Sequence, residues 1–245
     1  MAQIIKRDSA PEQNRDKAKS AGKLKLILAL GFMAAAVICA VFFLLIPAFL
    51  CTVGAAICFG MFLSGLGSTA AMDAGIVGET ATANLIRQLP QGYYGFQNVI
   101  ATFEGKTSEI DMVVVGQTGV FIIETKHHNG MIQGAYDSHD WIQHKTGRRG
   151  GQYSKQFYSP VKQVGTHVYR LAHLLRGNGV NVHVDAMVFF TNPAAYVAID
   201  GTPGKIPVYA GQPGAEALVR NIMAGQANLS PEQIHKICTL LNRCI

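Results

Sequence analysis

Two short polar motifs interrupt apolar sequence near the middle of the 245-residue chain. Asp111 lies in the apolar run 110–115, and thirteen residues later come Glu124, Thr125 and Lys126. Side chains two residues apart share one face of a strand, so Glu124 and Lys126 are expected to project together. If the two runs pair as a hairpin, Asp111 reaches Glu124, and two carboxylates meet one ammonium group.

These residue types suit hydrolysis of a phosphodiester bond. An ionised carboxylate in an apolar sheet is costly unless it is paired or binds a metal. Carboxylate oxygens are preferred ligands of Mg²⁺, which acidifies water and neutralises phosphate charge. A lysine beside them can orient that water or stabilise charge in the transition state. The alternative is an ion-pair network with a structural role only.

The order of the surrounding motifs resembles the PD-(D/E)xK superfamily of restriction-endonuclease-like nucleases and, within it, the nuclease-related domain (NERD) family. The resemblance covers roughly residues 75–190. It is carried by the motifs Gly78-Glu79, Glu109-Ile110-Asp111, Gly119-Val120-Phe121-Ile122-Ile123-Glu124-Thr125-Lys126, Gly130, Trp141 and Pro160-x-x-Gln163. One position departs from the family pattern, because Ser159 precedes Pro160 where the family usually has Asn.

The resemblance implies a role for each polar residue of these motifs. Mg²⁺ or Mn²⁺ would be held by the side chains of Glu79, Asp111 and Glu124 and by the backbone carbonyl of Thr125. Lys126 would be the catalytic lysine, and Gln163 would contact substrate or position the site. From the residues alone, Glu79 is equally compatible with a solvated helix position, and Gln163 with a side chain that bridges a loop.

Histidines and cysteines do not indicate a zinc site. His127 and His128 are adjacent, and adjacent strand residues face opposite sides, so we expect ordinary histidines. The five cysteines include no Cys-x-x-Cys pair, which argues against a zinc ribbon and fits a reducing compartment. The sequence also contains no Walker loop, dinucleotide-binding fingerprint, His-Glu-x-x-His motif or Gly-x-Ser-x-Gly elbow.

A basic stretch follows the predicted hairpin in a chain whose net charge is +6. Residues 141–184 contain no acidic residue and carry seven cations: Lys145, Arg148, Arg149, Lys155, Lys162, Arg170 and Arg176. Such a stretch neutralises phosphates, and three aromatic residues within it are candidates for stacking on bases: Tyr153, Phe157 and Tyr158. We expect DNA as the partner, with RNA also compatible. A solvated or lipid-facing surface is the alternative, and Trp141 is expected to anchor the core.

An uncharged stretch precedes these motifs. Residues 26–66 contain no Asp, Glu, Lys, Arg or His, and one helix of this length would measure about 62 Å, twice the ~30 Å hydrocarbon core. We predict two transmembrane helices broken near Pro47; one span followed by a membrane-surface segment is the alternative. Lysines at positions 17, 19, 23 and 25 predict a cytoplasmic N-terminus. Two spans return the rest of the chain to the cytoplasmic side of a bacterial inner membrane, whereas one span exports it.

The apolar periodicity predicts an α/β fold with a mixed sheet, and the resemblance implies that this sheet is restriction-endonuclease-like and flanked by helices. The uncharged stretch adds a transmembrane helical hairpin before it. Predicted strands are 96–103, 109–115, 120–126, 131–135, 182–190, 196–199 and 206–209, and predicted helices are 68–89, 160–176, 214–224 and 230–243. Residues 137–159 are predicted to be polar and irregular. The predicted domains are a basic cytoplasmic segment 1–25, a transmembrane region 26–66, a nuclease-like domain 68–190 and a C-terminal extension 191–245 packing on it.

Together these features predict a membrane-anchored, metal-dependent nuclease that hydrolyses DNA. The first alternative is a noncatalytic, membrane-tethered module for DNA binding or assembly. A third interpretation is a structural membrane protein whose basic face binds lipid.

Overall fold

The computed structural model describes residues 1–6, 10–41, 45–147, 150–201 and 204–245. The chain divides into two compact units: Met1–Asp8 together with Val77–Ile245, and Ser9–Ile76. The larger unit therefore contains the first residues of the chain and everything after residue 76. The predicted cations Arg148 and Arg149 lie outside the described residues.

Two long helices account for the smaller unit. Helix α1 spans Ala10–Val41, and helix α2 spans Leu45–Ile86, so its last turns belong to the larger unit. The helix predicted to begin at residue 68 is thus the end of a longer one. Among the described residues, one helical segment is long and apolar enough to cross a membrane, Lys17–Ile38, and a shorter apolar segment follows at Phe49–Leu63.

The break predicted near Pro47 falls beside residues 42–44, which lie outside the described part of the chain. Pro47 itself is in the first turn of α2. Backbone N–H groups of a first turn have no partner within the helix, so a proline there removes no helical hydrogen bond.

A six-stranded mixed sheet forms the centre of the larger unit, in the order β1-β2-β3-β4-β8-β10. Strands β2, β3 and β4 are antiparallel neighbours, while β1, β8 and β10 each join a neighbour in parallel. Their bounds are Gln3–Lys6 (β1), Tyr94–Phe103 (β2), Lys106–Gly116 (β3), Gly119–Lys126 (β4), Val184–Phe190 (β8) and Val208–Ala210 (β10). Strand β1 was not predicted, because four residues at the edge of a basic segment carry little periodicity.

A second sheet of four strands follows the order β7-β6-β5-β9. Its strands are Gly130–Ala135 (β5), Asp140–Thr146 (β6), Gln152–Tyr158 (β7) and Ala195–Asp200 (β9). The prediction that residues 137–159 are irregular is therefore wrong, and the predicted single sheet is two sheets. The physical reason is exposure: β7 is exposed at every position except the half-buried Phe157, so no alternation of apolar and polar residues marks it.

The core between sheets and helices contains the residues that periodicity predicted. Helix α3, Pro160–Gly177, buries Val164, Leu171 and Leu175 against β8 and β2. The hydroxyl oxygen of Ser159 caps this helix by accepting from the backbone N–H of Lys162.

Trp141 is fully buried and stacks on Phe190, as expected of a core anchor. A Cβ atom at Gly134 would lie 2.4 Å from the indole ring, so glycine is required there for the tryptophan to fit.

Residues after 191 continue both sheets. Strand β9 joins the second sheet, and β10 joins the first. The last two helices are α4 (Gly211–Ala224) and α5 (Pro231–Leu241), and a capping box formed by Ser230 and Gln233 begins α5.

Candidate active site

The hairpin of β3 and β4 brings the two polar motifs together. The hydrogen-bonded pairing of the two strands ends with Met112 opposite Ile123, so Asp111 comes opposite Glu124. Beyond that pair, the backbone N–H of Thr125 donates a hydrogen bond of 2.8 Å to Oδ2 of Asp111. The carboxylate thus replaces the partner strand as acceptor at the point where the ladder ends.

A chain of polar contacts surrounds Glu124, whose side chain is 1% exposed. Nζ of Lys126 donates to Oε1 of Glu124 at 2.8 Å and to Oε1 of Gln163 at 3.0 Å. On the other side, Nε2 of His167 lies 3.3 Å from Oε2 of Glu124, without the alignment of a hydrogen bond. The structure therefore brings Asp111, Glu124, Lys126 and Gln163 together.

His167 is the residue of this cluster that the sequence analysis missed. It is buried in helix α3, four residues after Gln163, and residues four apart share a helix face. That spacing is the feature of the sequence that would have placed His167 beside the predicted site.

The protonation equilibria of the cluster are strongly perturbed. Burial, and next the negative charge of Glu124, raises the pKa of Asp111 well above its ordinary value. Burial also raises the pKa of Glu124, but contacts with His167 and Lys126 outweigh it, so that this pKa is lowered. Burial lowers the pKa of Lys126, but Glu124 and Asp111 outweigh it and raise that pKa. Two carboxyl groups thus share one ammonium group, and burial beside Glu124 disfavours the ionised form of Asp111.

Helix α2 supplies Glu79 through a close approach to the sheet. A Cβ atom at Gly78 would lie 3.0 Å from Cβ of His127 and 3.2 Å from Cγ2 of Thr125, so only glycine lets the helix come this near. One turn later, Oγ1 of Thr82 and Oγ1 of Thr125 are hydrogen-bonded at 2.9 Å. The charge of Glu79 contributes to the raised pKa of Asp111, which places it in the same electrostatic environment.

The capacity of the site for a metal follows from these donors. In the part of the chain that the structure describes, no group of three His, Cys, Asp or Glu side chains is close enough together to hold a metal. Asp111 and Glu124 supply two buried carboxylates, and Oε2 of Glu124 accepts no hydrogen bond from the described residues. This donor set fits Mg²⁺, which is commonly held by one or two carboxylates and keeps several waters.

Comparison with known families agrees with the position of this cluster. Residues 74–191 match the nuclease-related domain (NERD) family. All of the clustered side chains lie inside the matched region, and the match indicates a nuclease-related function.

The chain was also compared with curated proteins and with solved structures. An uncharacterized protein from Bacillus anthracis is 33% identical over 105 residues, which are 41% of this chain and 46% of the relative. The chain thus spans about half the length of this relative. No solved structure matches the chain.

The two histidines that follow Lys126 have different neighbours. Nδ1 of His127 is hydrogen-bonded to Oγ1 of Thr191 at 2.8 Å. His128 packs edge-on against Phe157, with ring centroids 4.4 Å apart. The two rings therefore point to different neighbours, and both residues follow the end of β4 rather than lying within a strand.

The basic stretch predicted from the sequence is distributed over two elements. Lys155 pairs with Gln143 and Tyr153 with Lys145 across β6 and β7, so both lysines lie on one face of this two-stranded ribbon. Arg170 on α3 donates to the hydroxyl of Ser108 on β3, and Lys162 is in the first turn of α3. The structure therefore brings Lys145 and Lys155 together, whereas Arg170 makes a contact within the fold.

Proposed function

We propose that this chain is a membrane-anchored, metal-dependent nuclease that hydrolyses phosphodiester bonds of DNA. The observation that carries the proposal is the cluster of Asp111, Lys126 and Gln163 around the buried Glu124, inside the region that matches a nuclease-related family. A purely structural ion-pair network accounts less well for it, because Asp111 lies beside the Glu124–Lys126 pair, where burial and the charge of Glu124 disfavour its ionised form.

Asp111 and Glu124 would hold Mg²⁺ or Mn²⁺, with Glu79 and the backbone carbonyl of Thr125 as further ligands. The raised pKa of Asp111, caused by burial and by Glu124, supports a cation here because a divalent ion would offset both effects. When bound, the metal neutralises phosphate charge and promotes deprotonation of water.

Lys126 would stabilise negative charge on the phosphate in the transition state. Its ammonium group has three N–H donors, and two of them are directed at Glu124 and Gln163. Such a fixed charge needs little reorganisation during the reaction, which is the condition for electrostatic stabilisation. Gln163 would act by holding this ammonium group in place.

The helices of the smaller unit would anchor the protein as a hairpin of two spans. Nη1 of Arg15 on α1 lies 3.6 Å from Oδ1 of Asp73 on α2. Farther along both helices, a Cβ atom at Gly54 would lie 3.2 Å from the ring of Phe32. These contacts support antiparallel helices with a polar end and an apolar middle, although the apolar segment Phe49–Leu63 is shorter than Lys17–Ile38.

Strand β1 supports an even number of membrane crossings. It pairs in parallel with β2, so the chain leaves the larger unit after Asp8 and returns to it at Val77. A single crossing would put β1 and β2 on opposite sides of the bilayer, where they could not pair. Together with the flanking lysines, this favours a cytoplasmic location for the domain and for both chain termini.

The activity is tested with the full chain in detergent, on single- and double-stranded DNA, with Mg²⁺ or Mn²⁺ compared with a chelator. Asp111→Asn and Lys126→Ala are each expected to lower the cleavage rate by at least about 100-fold. Glu216→Gln, an exposed carboxylate-to-amide change on α4, is the matched control and should cleave normally.

Equal cleavage by Asp111→Asn and the unaltered chain would contradict this assignment. Salt-dependent DNA binding without cleavage, unchanged in Asp111→Asn, would instead favour the noncatalytic tethered module. The topology is tested with protease applied to inside-out membrane vesicles. Tags at both termini are expected to be removed, and protection of one tag would contradict the two-span hairpin.

A further inference from the structure

The second sheet has an exposed face opposite its core. Trp141 and Ile132 are fully buried on the core face. Because successive side chains of a strand alternate, the neighbours Met131, Ile142 and His144 project from the opposite face. The second sheet therefore presents a solvent-facing surface that the core does not use.

A row of four residues crosses this face, one from each strand. Tyr196 of β9 is opposite Met131 of β5, which is opposite His144 of β6, and His144 is opposite Ser154 of β7. Tyr196 is 67% exposed and Met131 39% exposed. An exposed tyrosine and an exposed methionine side by side offer a flat, polarisable contact area.

The polar members of the face are held in place by each other. Nδ1 of His144 is hydrogen-bonded to Oγ of Ser154 at 2.7 Å, and Nε2 to Oε1 of Gln133 at 2.9 Å. A carbonyl oxygen only accepts, so Nε2–H donates to Gln133, and in the neutral ring Nδ1 accepts from the serine hydroxyl. The side chain of His144 thus links β5, β6 and β7 by hydrogen bonds. These bonds fix the positions of the polar groups before a ligand binds.

The chemistry of this face differs from that of the neighbouring ribbon. Neither the row nor Gln133 includes a lysine, arginine, aspartate or glutamate, whereas Lys145 and Lys155 lie on the other face of the ribbon. A groove of about 640 Å³ is lined by three members of the row, Met131, His144 and Ser154, and is bordered by Lys145 and Tyr153. Tyr196 is opposite Met131, at the end of the groove. Phosphates are bound by cations, whereas base edges and faces are recognised by neutral hydrogen-bonding groups and by stacking.

We infer that this face binds unpaired bases of a single-stranded nucleic acid, with Tyr196 as the stacking residue and the His144 row as the group that meets the base edges. The inference rests on the proposed function, because the nucleic acid that binds this face is the one that the proposed nuclease site acts on. The sugar–phosphate backbone passes Lys145 at the border of the groove, and a base occupies the groove. A fully paired duplex keeps its bases stacked inside and gains nothing from this face.

The inference is tested by binding of a fluorescent 12-nucleotide single strand to the full chain in detergent, in the presence of chelator so that no cleavage occurs. Tyr196→Ala is expected to weaken this binding about tenfold, the effect of one lost stacked base. An abasic strand of the same length, which keeps every phosphate, is expected to bind the variant and the unaltered chain equally. Tyr196→Phe, which keeps the ring, should restore affinity for the normal strand.

Tyr169→Ala on α3 is the matched control, since Tyr169 is also an exposed tyrosine, at 51%. It should bind the single strand normally. Equal weakening for the normal and abasic strands, or no effect of Tyr196→Ala, would overturn the inference. The proposed function fails separately: in that case the unaltered chain neither cleaves with metal nor binds any strand, and Asp111→Asn changes nothing.

Discussion

The two sheets of the larger unit differ in how much of each they expose. In the six-stranded sheet, β4 is buried from Gly119 to Glu124 and is partly exposed only at Thr125 and Lys126. In the four-stranded sheet, β7 is exposed along almost its whole length. In a strand with both faces covered, a charged side chain is stable only if other groups contact it. Those contacts also fix the geometry of the side chain. The exposed sheet imposes no such condition, so its polar side chains suit contact with a ligand.

The largest effect that separates the two sheets is expected from isoleucine truncation. Ile122→Ala in β4, where the side chain is fully buried, should lower the free energy of unfolding by about 2–5 kcal/mol because it leaves a cavity. Ile142→Ala in β6, at a half-buried position, should cost less than about 1 kcal/mol. Urea unfolding followed by the fluorescence of Trp141, the single tryptophan, measures both. Equal losses would show that the exposed face is covered in solution.

The next effect concerns the support of the buried carboxylate. His167→Ala removes the side chain beside Oε2 of Glu124 and is expected to lower the cleavage rate and the Mn²⁺ affinity by about 10–100-fold. Lost positioning of a metal ligand acts on both measurements, whereas simple destabilisation lowers only the folded fraction. His173→Ala on the same helix is the control, because His173 stacks on Phe103 and does not contact the cluster. A normal Mn²⁺ affinity in His167→Ala would argue against this role.

A smaller effect is expected from pH. Burial, together with the charges of Lys126, Lys145 and Lys155, lowers the pKa of His128 from 6.5 to about 4. Between these values the unfolded chain binds more protons than the folded chain, so stability present above pH 6.5 is lost as the pH falls towards 4. Allowing for solvent screening, the expected loss is about 1–2 kcal/mol.

The measurement compares urea unfolding at pH 7 and pH 4.5 for the unaltered chain and for His128→Phe. Phenylalanine keeps the packing against Phe157 but carries no proton, so the variant should lose less stability on acidification. An identical loss in both proteins would assign the pH dependence to other groups.

The smallest effect is expected at the ribbon. Lys155→Ala should lower DNA affinity a few-fold and reduce the slope of log affinity against log salt by about 0.7–0.9, the share of one phosphate contact. Lys236→Ala on α5 removes one charge elsewhere, where Nζ donates to the carbonyl of Gly179, and should leave the slope unchanged. A salt titration of binding measures both slopes. Equal slopes in the two variants would indicate a general charge effect rather than a ribbon contact.

The contrast between the sheets also explains what the sequence predicted. Strands β3 and β4 were predicted because both of their faces are buried, which produces the apolar runs around Asp111 and before Glu124. The pairing of these motifs followed from the short turn at Gln117-Thr118, which fixes the register.

The parts that were missed carry weak local patterns. Strands β6 and β7 have polar residues on an exposed face and lack an apolar repeat. Strand β1 pairs with β2, which lies far along the chain, and no local pattern near Gln3–Lys6 predicts a strand. The contact of His167 with Glu124 is tertiary, although its spacing from Gln163 was visible. The sequence therefore predicted the two carboxylates and the lysine, but not His167, which contacts Glu124.

The parallel pairing of β1 with β2 has a consequence for biosynthesis. Gln3 leaves the ribosome first, but its partner Tyr94 follows 91 positions later, after both long helices. Protein synthesis proceeds at about 5–20 residues per second, so roughly 5–20 s pass between the synthesis of Gln3 and that of its partner in β2. Until then β1 has no strand to pair with, and both long helices are synthesised before the six-stranded sheet can be completed. The order of synthesis thus makes the completion of the domain the last step, after the helices have emerged.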